Sequence, residues 1–420
     1  MTDVRSRSAR SEALVVAYLG FIGALLAFGI DTALPAFDEI RDEFDLADGS
    51  GEVSLIVTAY FLGMAVGQLP VGPLSDRFGR RPILLGSLAL YILGAIGATV
   101  AGDFTTVLIS RFVWGIGASG PAVISYAIAR DLYEGDQMAR VLSLVMAVFL
   151  VGPTVAPLIG EGLIAVLPWQ AVFGGAAVLA AVGMAWTLRF DESLPPEKRR
   201  PIQPASIGRA IRTTLTHRAS TGYLAAMTFS YGAFFVFLGS SQPIVDEVYG
   251  RPEWFAATFA AVSAVQGISV WRVSRIVERV GTARVARIAY VTNLGAYVLL
   301  TIATLLADGV PGFAVWAVLI ALASTAGTIV STAAVSLNLQ PMERIAGTAA
   351  AVRGVATLGL GSILASLIDR QIDDTITPMA IGGLVYCAIG LVILLWAEGG
   401  SLEVVDPDRG RHTPGAHSPA

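Results

Sequence analysis

Runs of about 20 apolar residues recur along almost the whole chain, and nothing constrains its fold more. They fall at 13–35, 53–74, 83–101, 104–128, 141–164, 169–189, 221–241, 254–274, 284–306, 312–336, 346–368 and 378–397. A run of that length crosses the ~30 Å hydrocarbon core as a helix, which satisfies its own backbone polar groups there. Of the 420 residues, 55% are hydrophobic and 14% are charged, and the mean hydropathy is +0.69. An ordinary soluble domain carries about 25% charge. A soluble enzyme, a disordered chain and a nucleic-acid binder are excluded, the last because so few charges build no basic face. Strands of a membrane β-barrel alternate and give a weaker signal. The chain reads as an all-α membrane protein with 12 transmembrane helices.

Basic residues fix the direction of threading. With the N-terminus in the cytoplasm, the inner segments hold nearly all of the arginines, among them Arg5, Arg7, Arg10, Arg77, Arg80, Arg81, Arg199, Arg200, Arg209, Arg275 and Arg279. The outer loops hold only Arg41, Arg251 and Arg370, and the first of these loops is acidic. Arg5, Arg7 and Arg10 before the first apolar run imitate a signal peptide, but the run is too long for one and more follow, so it reads as an uncleaved first span. The polar connector 190–219 divides the chain into bundles at 13–189 and 220–398, and the Pro/Gly/Asp-rich 399–420 reads as a disordered cytoplasmic tail.

Several chemistries are ruled out by counting. Cys387 is alone, so no intramolecular disulfide or thiolate cluster forms. His217, His412 and His417 lie in polar segments, which leaves no histidine relay or metal site in the membrane. The single lysine, Lys198, has no glycine-rich run before it, so there is no phosphate-binding loop for ATP. No cofactor is called for, and uphill transport would draw on an ion gradient.

The two halves repeat. GPLSDRFGRR (Gly72–Arg81) stands between spans 2 and 3, and SRIVERVGTA (Ser274–Ala283) between spans 8 and 9. Aligned on Gly79 and Gly281, Asp76 meets Glu278 and Arg77 meets Arg279. Two such halves suit a rocking transporter with its substrate between them.

GQLPVGPLSDRFGRRP (Gly67–Pro82) resembles motif A of the major facilitator superfamily, ISRFVWGIGASGP (Ile109–Pro121) its motif B, and VGPTVAPLIG (Val151–Gly160) its motif C, associated with antiporters. IDTALPA (Ile30–Ala36), RFDESLPPEKR (Arg189–Arg199) and DEVYGRPEWFAATFA (Asp246–Ala260) are similar to the drug/proton antiporters of the Bcr/CflA group. The likeness runs from Ala13 to Ala397. Three positions depart from it: Trp114 stands where motif B usually has Gln, Glu161 follows Gly160 where motif C ends in a second Gly, and Arg353 replaces a small or apolar residue.

Among the residues, Asp31 sits about one turn from the outer end of an apolar span. Charge at depth is costly, so it should face the bundle interior, where desolvation favours the proton-carrying form. The plainer alternative is an interfacial Asp reaching water. Arg111, Asp31 and Glu161 fall at similar depth, so Arg111 could favour ionised Asp31 as part of a two-state switch, or form a static pair that fixes packing. Glu161 is a second proton carrier or a boundary acid. Arg353 snorkels or meets an anionic substrate.

In motif A, Gly72 and Gly79 allow close approach and a tight turn, while Asp76, Arg77, Arg80 and Arg81 can pair across the inner seam. The resemblance implies that Asp76 helps lock the outward-facing state. In motif C, Gly152, Pro153, Pro157 and Gly160 kink span 5 and admit a neighbour. Tyr60, Trp114, Tyr126, Tyr231, Phe235 and Gln266, with Arg353, are candidate cavity walls suited to amphipathic ligands. Trp169 and Trp254 read as interfacial anchors.

The expected protein is a monomeric, multi-pass inner-membrane transporter with both termini cytoplasmic. It binds lipid, protons and a small-molecule substrate, and exports amphipathic compounds by proton antiport. A proton-coupled importer of a nutrient or organic anion is the first rival, and a non-transporting sensor on the same fold the second.

Overall fold

The computed structural model describes residues 2–46, 51–199, 201 and 204–399. The tail expected beyond Gly399 lies outside them. Every described element is helical. In chain order they are α1 (Thr2–Asp31), α2 (Phe37–Glu43), α3 (Leu55–Phe78), α4 (Arg80–Thr99), α5 (Phe104–Leu132), α6 (Gly135–Ile164), α7 (Gln170–Arg189), α8 (Pro204–Thr216), α9 (Arg218–Pro243), α10 (Phe255–Val280), α11 (Thr282–Leu306), α12 (Phe313–Leu339), α13 (Ala346–Gly354), α14 (Gly361–Asp369) and α15 (Thr377–Glu398). Among the described residues, 11 helical segments are long and apolar enough to cross a membrane. The 30-residue α6 adds a further traverse, with Val151–Ile164 as its described apolar run. α13 and α14 form one span through the π-helical segment Val355–Leu360.

The even number of traverses brings α1 in and α15 out at one face, called here the terminal face; the opposite one is the distal face. In the first bundle α5 packs on α3 and α4, and α1 on α6. Small residues make this possible, because the membrane offers no hydrophobic gain and helices must instead approach closely. Gly115 lies on the Tyr60 carbonyl of α3 and Gly117 on the Tyr91 backbone of α4, where any side chain would collide. In the second bundle α9 packs on α12, α14 and α15, and α11 on α12 and α15. The bundles meet where α10 lies on α6 and where α3 lies along Val355–Leu360 and α13.

The repeat is visible in the backbone. Gly79 and Gly281 precede α4 and α11 with φ of 107° and 88°, a region that side chains disfavour. Two polar segments hold more structure than their composition suggests. The connector 190–219 contains α8, whose Ala210 and Thr214 are buried and which packs on α9 and α13. The acidic segment after α1 contains α2, with Phe37, Ile40 and Arg41 buried. Trp169 is 6% exposed and packs edge-on against Phe44 and Phe173, so it is a core residue rather than an interfacial anchor. Trp254, at 48%, stays at the surface.

Candidate functional site

The first bundle buries a cation beside a helix end. α1 stops at Asp31, so its last carbonyls lack intrahelical partners and carry the negative end of the helix dipole. Arg111, on α5 and completely buried, donates from Nη1 to the Gly29 carbonyl at 2.6 Å and from Nε to the Ile56 carbonyl of α3 at 3.2 Å. Its guanidinium carbon lies 4.7 Å from the Tyr60 ring centroid, 4.6 Å from Trp114 and 5.5 Å from Phe173. Carbonyls and ring faces thus supply the negative potential that a buried guanidinium needs. Gly29 makes room for the cluster, since a Cβ there would stand 2.9 Å from the hydroxyls of both Tyr60 and Tyr91.

Asp31 is 4% exposed. Among the described residues it pairs with no basic group, so the expected ion pair with Arg111 is not formed in this state. The Arg111 hydrogen bonds are already directed to backbone, yet one nitrogen is unspent. Arg111 Nη2 and Tyr60 Oη are buried without an acceptor, and Tyr60 lies within electrostatic reach of both Arg111 and Asp31. Buried donors with no acceptor are costly.

Motif C brackets this carboxyl. Gly152 faces Ala27 of α1, where a Cβ would come within 2.6 Å of the methyl, and Gly160 lies on the Thr32 carbonyl and Pro35. Pro153 and Pro157 sit inside α6 between them. α6 is therefore pressed against α1 on both sides of Asp31. Glu161, half-buried one residue further on, is brought near neither Asp31 nor Arg111 by any hydrogen bond or ion pair among the described residues.

Tyr60 and Trp114, expected on the cavity wall, are instead buried at 0% and 1%, with Trp114 edge-on to Tyr91 of α4 and Phe173 of α7. Both turn into the first bundle because they cover Arg111. The seam between the bundles is lined by others. Phe61 of α3 stacks on Phe235 of α9 at 4.2 Å, and Tyr231 meets Phe235 edge-on at 5.5 Å. Arg353, partly buried, has its Nε without a partner and lies within electrostatic reach of the half-exposed Tyr126. It is the penultimate residue of α13, just before the π-helical turn, a feature that often marks functional positions. Gln266 of α10 accepts from Thr328 of α12 at 3.3 Å and stays within the second bundle.

Motif A makes its charge contacts inside the first bundle. Arg80 bonds Asp76 at 2.5 Å and Asp131 of α5 at 2.8 Å. Glu192 accepts from the backbone N–H groups of Arg80 and Arg81, and Arg81 donates to the Leu188 carbonyl. Arg77 lies over the Phe78 ring. Gly72 faces open space, and Gly79 carries the turn. The expected pairing of these charges across the terminal seam is absent among the described residues, since Asp131 and Glu192 occupy them.

Charges cross between bundles at the distal face. Arg41, with a side chain 6% exposed, bonds Asp38 at 3.0 Å and Glu247 beyond α9 at 2.6 Å. Gln242 of α9 donates to Asp38 at 2.8 Å and to Asp246 at 3.4 Å. Counting Arg41 as a loop charge misses this. The spacing of Phe37, Ile40 and Phe44 around it is the signal of an amphipathic turn. Arg41→Gln removes the cation and leaves two carboxylates facing each other. The closed distal state is expected to lose about 2 kcal/mol, roughly a 30-fold shift toward opening. Thiol labelling of a cysteine placed at Glu52 measures it.

Two bundles around a closed seam, with a buried carboxyl and a buried cation in the first, make up a polytopic helical membrane protein. The sequence profile of the Major Facilitator Superfamily matches residues 19–366, and the chain belongs to that superfamily, within the Bcr/CflA group. It is 31% identical to a bicyclomycin resistance protein homolog of Haemophilus influenzae, over 88% of this chain and 92% of that one. It is 28% identical to a chloramphenicol resistance protein of Pseudomonas aeruginosa, over 97% and 94%. The D-xylose-proton symporter has the same fold, with a TM-score of 0.71 at 15% identity over 95% of this chain and 99% of that one.

Proposed function

We propose that the protein exports small amphipathic drugs or metabolites from the cytoplasm in exchange for protons, by alternating access, as a monomer in the bacterial inner membrane. The terminal face is then cytoplasmic and the distal face periplasmic, as the arginine distribution supports. Residues 13–189 and 220–398 rock about the seam, with 190–219 as their tether. The reading is carried by one observation: Asp31 is buried with no ion pair among the described residues, two residues along α1 from the carbonyl that holds Arg111. With a proton on Asp31, Arg111 rests on the α1 and α3 carbonyls. Without it, the carboxylate needs the unused donors of Arg111 and Tyr60, and α1 must shift to reach them. Proton loading and helix position are thereby linked, as exchange requires. The resistance proteins among the relatives support toxic compounds as cargo. The aromatic seam of Phe61, Tyr231 and Phe235, with Tyr126 and Arg353 below it, suits flat or amphipathic ligands.

Everted vesicles containing the protein test this directly. With an acidic lumen, a toxic compound is expected to accumulate inside, and a protonophore to abolish the accumulation. Accumulation that survives the protonophore overturns the antiport reading, and an analogous uptake of cargo into right-side-out vesicles driven by an acidic exterior supports the importer.

A further inference from the structure

A second carboxyl is buried in the chain, and neither motif nor cavity accounts for it. Asp369, the last residue of α14, is 1% exposed at the distal seam. It accepts from the Ser240 hydroxyl of α9 at 2.6 Å. Ser54, from the opposite bundle, stands against the same spot: a Cβ on Gly239 would lie 3.0 Å from Asp369 Oδ2 and 3.3 Å from Ser54 Cβ. Gly51 of that bundle lies on the Asp369 carbonyl, where a Cβ would collide, and 3.0 Å from the Arg370 nitrogen by the same construction. Two segments, one from each bundle, therefore close over Asp369 with two glycines and no spare space.

The hydroxyls of Ser240 and, from the opposite bundle, Ser54 reach the carboxyl, but no cation does. α14 ends at Asp369 itself, and helix C-termini repel anions. The 3₁₀ turn Gly51–Ser54 runs directly into α3, and no backbone N–H donates to the carboxyl among the described residues. The titratable and charged groups around it offer no counter-ion. α15 presents Tyr386 and the buried Cys387; the 51–54 turn carries the exposed Glu52; and Arg370, Asp373 and Asp374 beyond α14 point to solvent. α9 has no charged residue between Arg218 and its end, followed by Asp246 and Glu247, and α3 carries charge only at Asp76 and Arg77, at its far end. Among the described residues no ion pair reaches Asp369.

We propose that Asp369 is a second proton-binding group, whose protonation permits the distal seam to close over it. Opening the distal face would lift Gly51 and Ser54 away and wet the carboxyl, so that it exchanges its proton with the periplasm. Closing over the ionised form would bury an unpaired charge, which is strongly opposed. One O–H bond forms on a carboxylate oxygen, with a proton taken from the periplasmic water before closure, and breaks on reopening, when the proton returns to that water. Asp31 and Asp369 thus stand in opposite bundles, each the last residue of a helical segment at the distal face. The inference rests on the proton-coupled reading, and its test separates the two.

Spin labels on Glu52→Cys and Asp373→Cys, in a Cys387→Ser background in nanodiscs, report the width of the distal seam as a distance distribution. The parent is expected to populate the short distance at mildly acidic pH and the longer one at mildly alkaline pH. Asp369→Asn should hold the short distance throughout, losing the transition, while Asp369→Glu should keep a transition at a shifted pH. Asp31→Asn should retain the transition although it loses uphill transport. A parent without any transition, an Asp369→Asn protein that opens like the parent, or Glu and Asn variants that behave alike would each overturn the proposal. Loss of the transition in Asp31→Asn together with its survival in Asp369→Asn assigns the whole response to Asp31 and also overturns it.

Discussion

Asp31→Asn is expected to abolish uphill transport completely while leaving the fold and passive exchange of cargo intact. The amide has the size and shape of the protonated carboxyl, so the tight packing of Thr32 and Pro35 on Gly160 is undisturbed. What it lacks is a proton to release. Asp31 ends α1, where backbone carbonyls make a negative charge unwelcome, and it is 4% exposed. The neutral form therefore fits the state described here, and Asn should fit it equally well without blocking the others. Cargo driven by its own gradient, or exchanged against labelled cargo, needs no proton cycle and should continue. Accumulation driven by a pH gradient should fall to the level of vesicles without the protein. The comparison of these two assays on one preparation checks the assignment. Accumulation by the Asn variant at the parent rate would remove Asp31 from the coupling mechanism.

The same residues show why some features were readable beforehand and others were not. Spans were readable because a lipid-crossing helix must be long and apolar, and Gly79 and Gly281 because a turn with positive φ selects glycine. The direction in which each span faces was not readable. Lipid and neighbouring helices are both apolar, so a membrane helix carries little periodic contrast between its inner and outer sides. Tyr60 and Trp114 could thus be assigned to the seam when they actually cover Arg111. The partner of Arg111 was hidden for a different reason: it is a backbone carbonyl freed by the end of α1, and carbonyls leave no mark in the sequence. Arg41 and Asp369 sat at span boundaries, where a charge is ordinarily solvated. Only the approach of the other bundle, through Glu247 to the first and through Ser54 to the second, makes them buried.

The effect of Arg111→Lys separates a static ion pair from a switch. An ammonium is a compact charge and cannot reach the Gly29 and Ile56 carbonyls together while lying flat over Tyr60, Trp114 and Phe173. One charge-assisted hydrogen bond and much of the ring contact are lost, for a destabilisation of about 3 kcal/mol. The unfolding midpoint in detergent should drop accordingly, and transport should fall with it because α1 is no longer tied to α5. Combined with Asp31→Asn, the stability loss should be additive within ~0.5 kcal/mol, since no ion pair joins the two side chains in this state. A static pair predicts the opposite: the second substitution would cost little once the first had removed the partner, giving a coupling well above 1 kcal/mol. Additive stability together with non-additive transport is the signature of groups that meet only during the cycle. Strong coupling in stability would instead make Arg111 and Asp31 a packing element and move proton exchange elsewhere in the bundle.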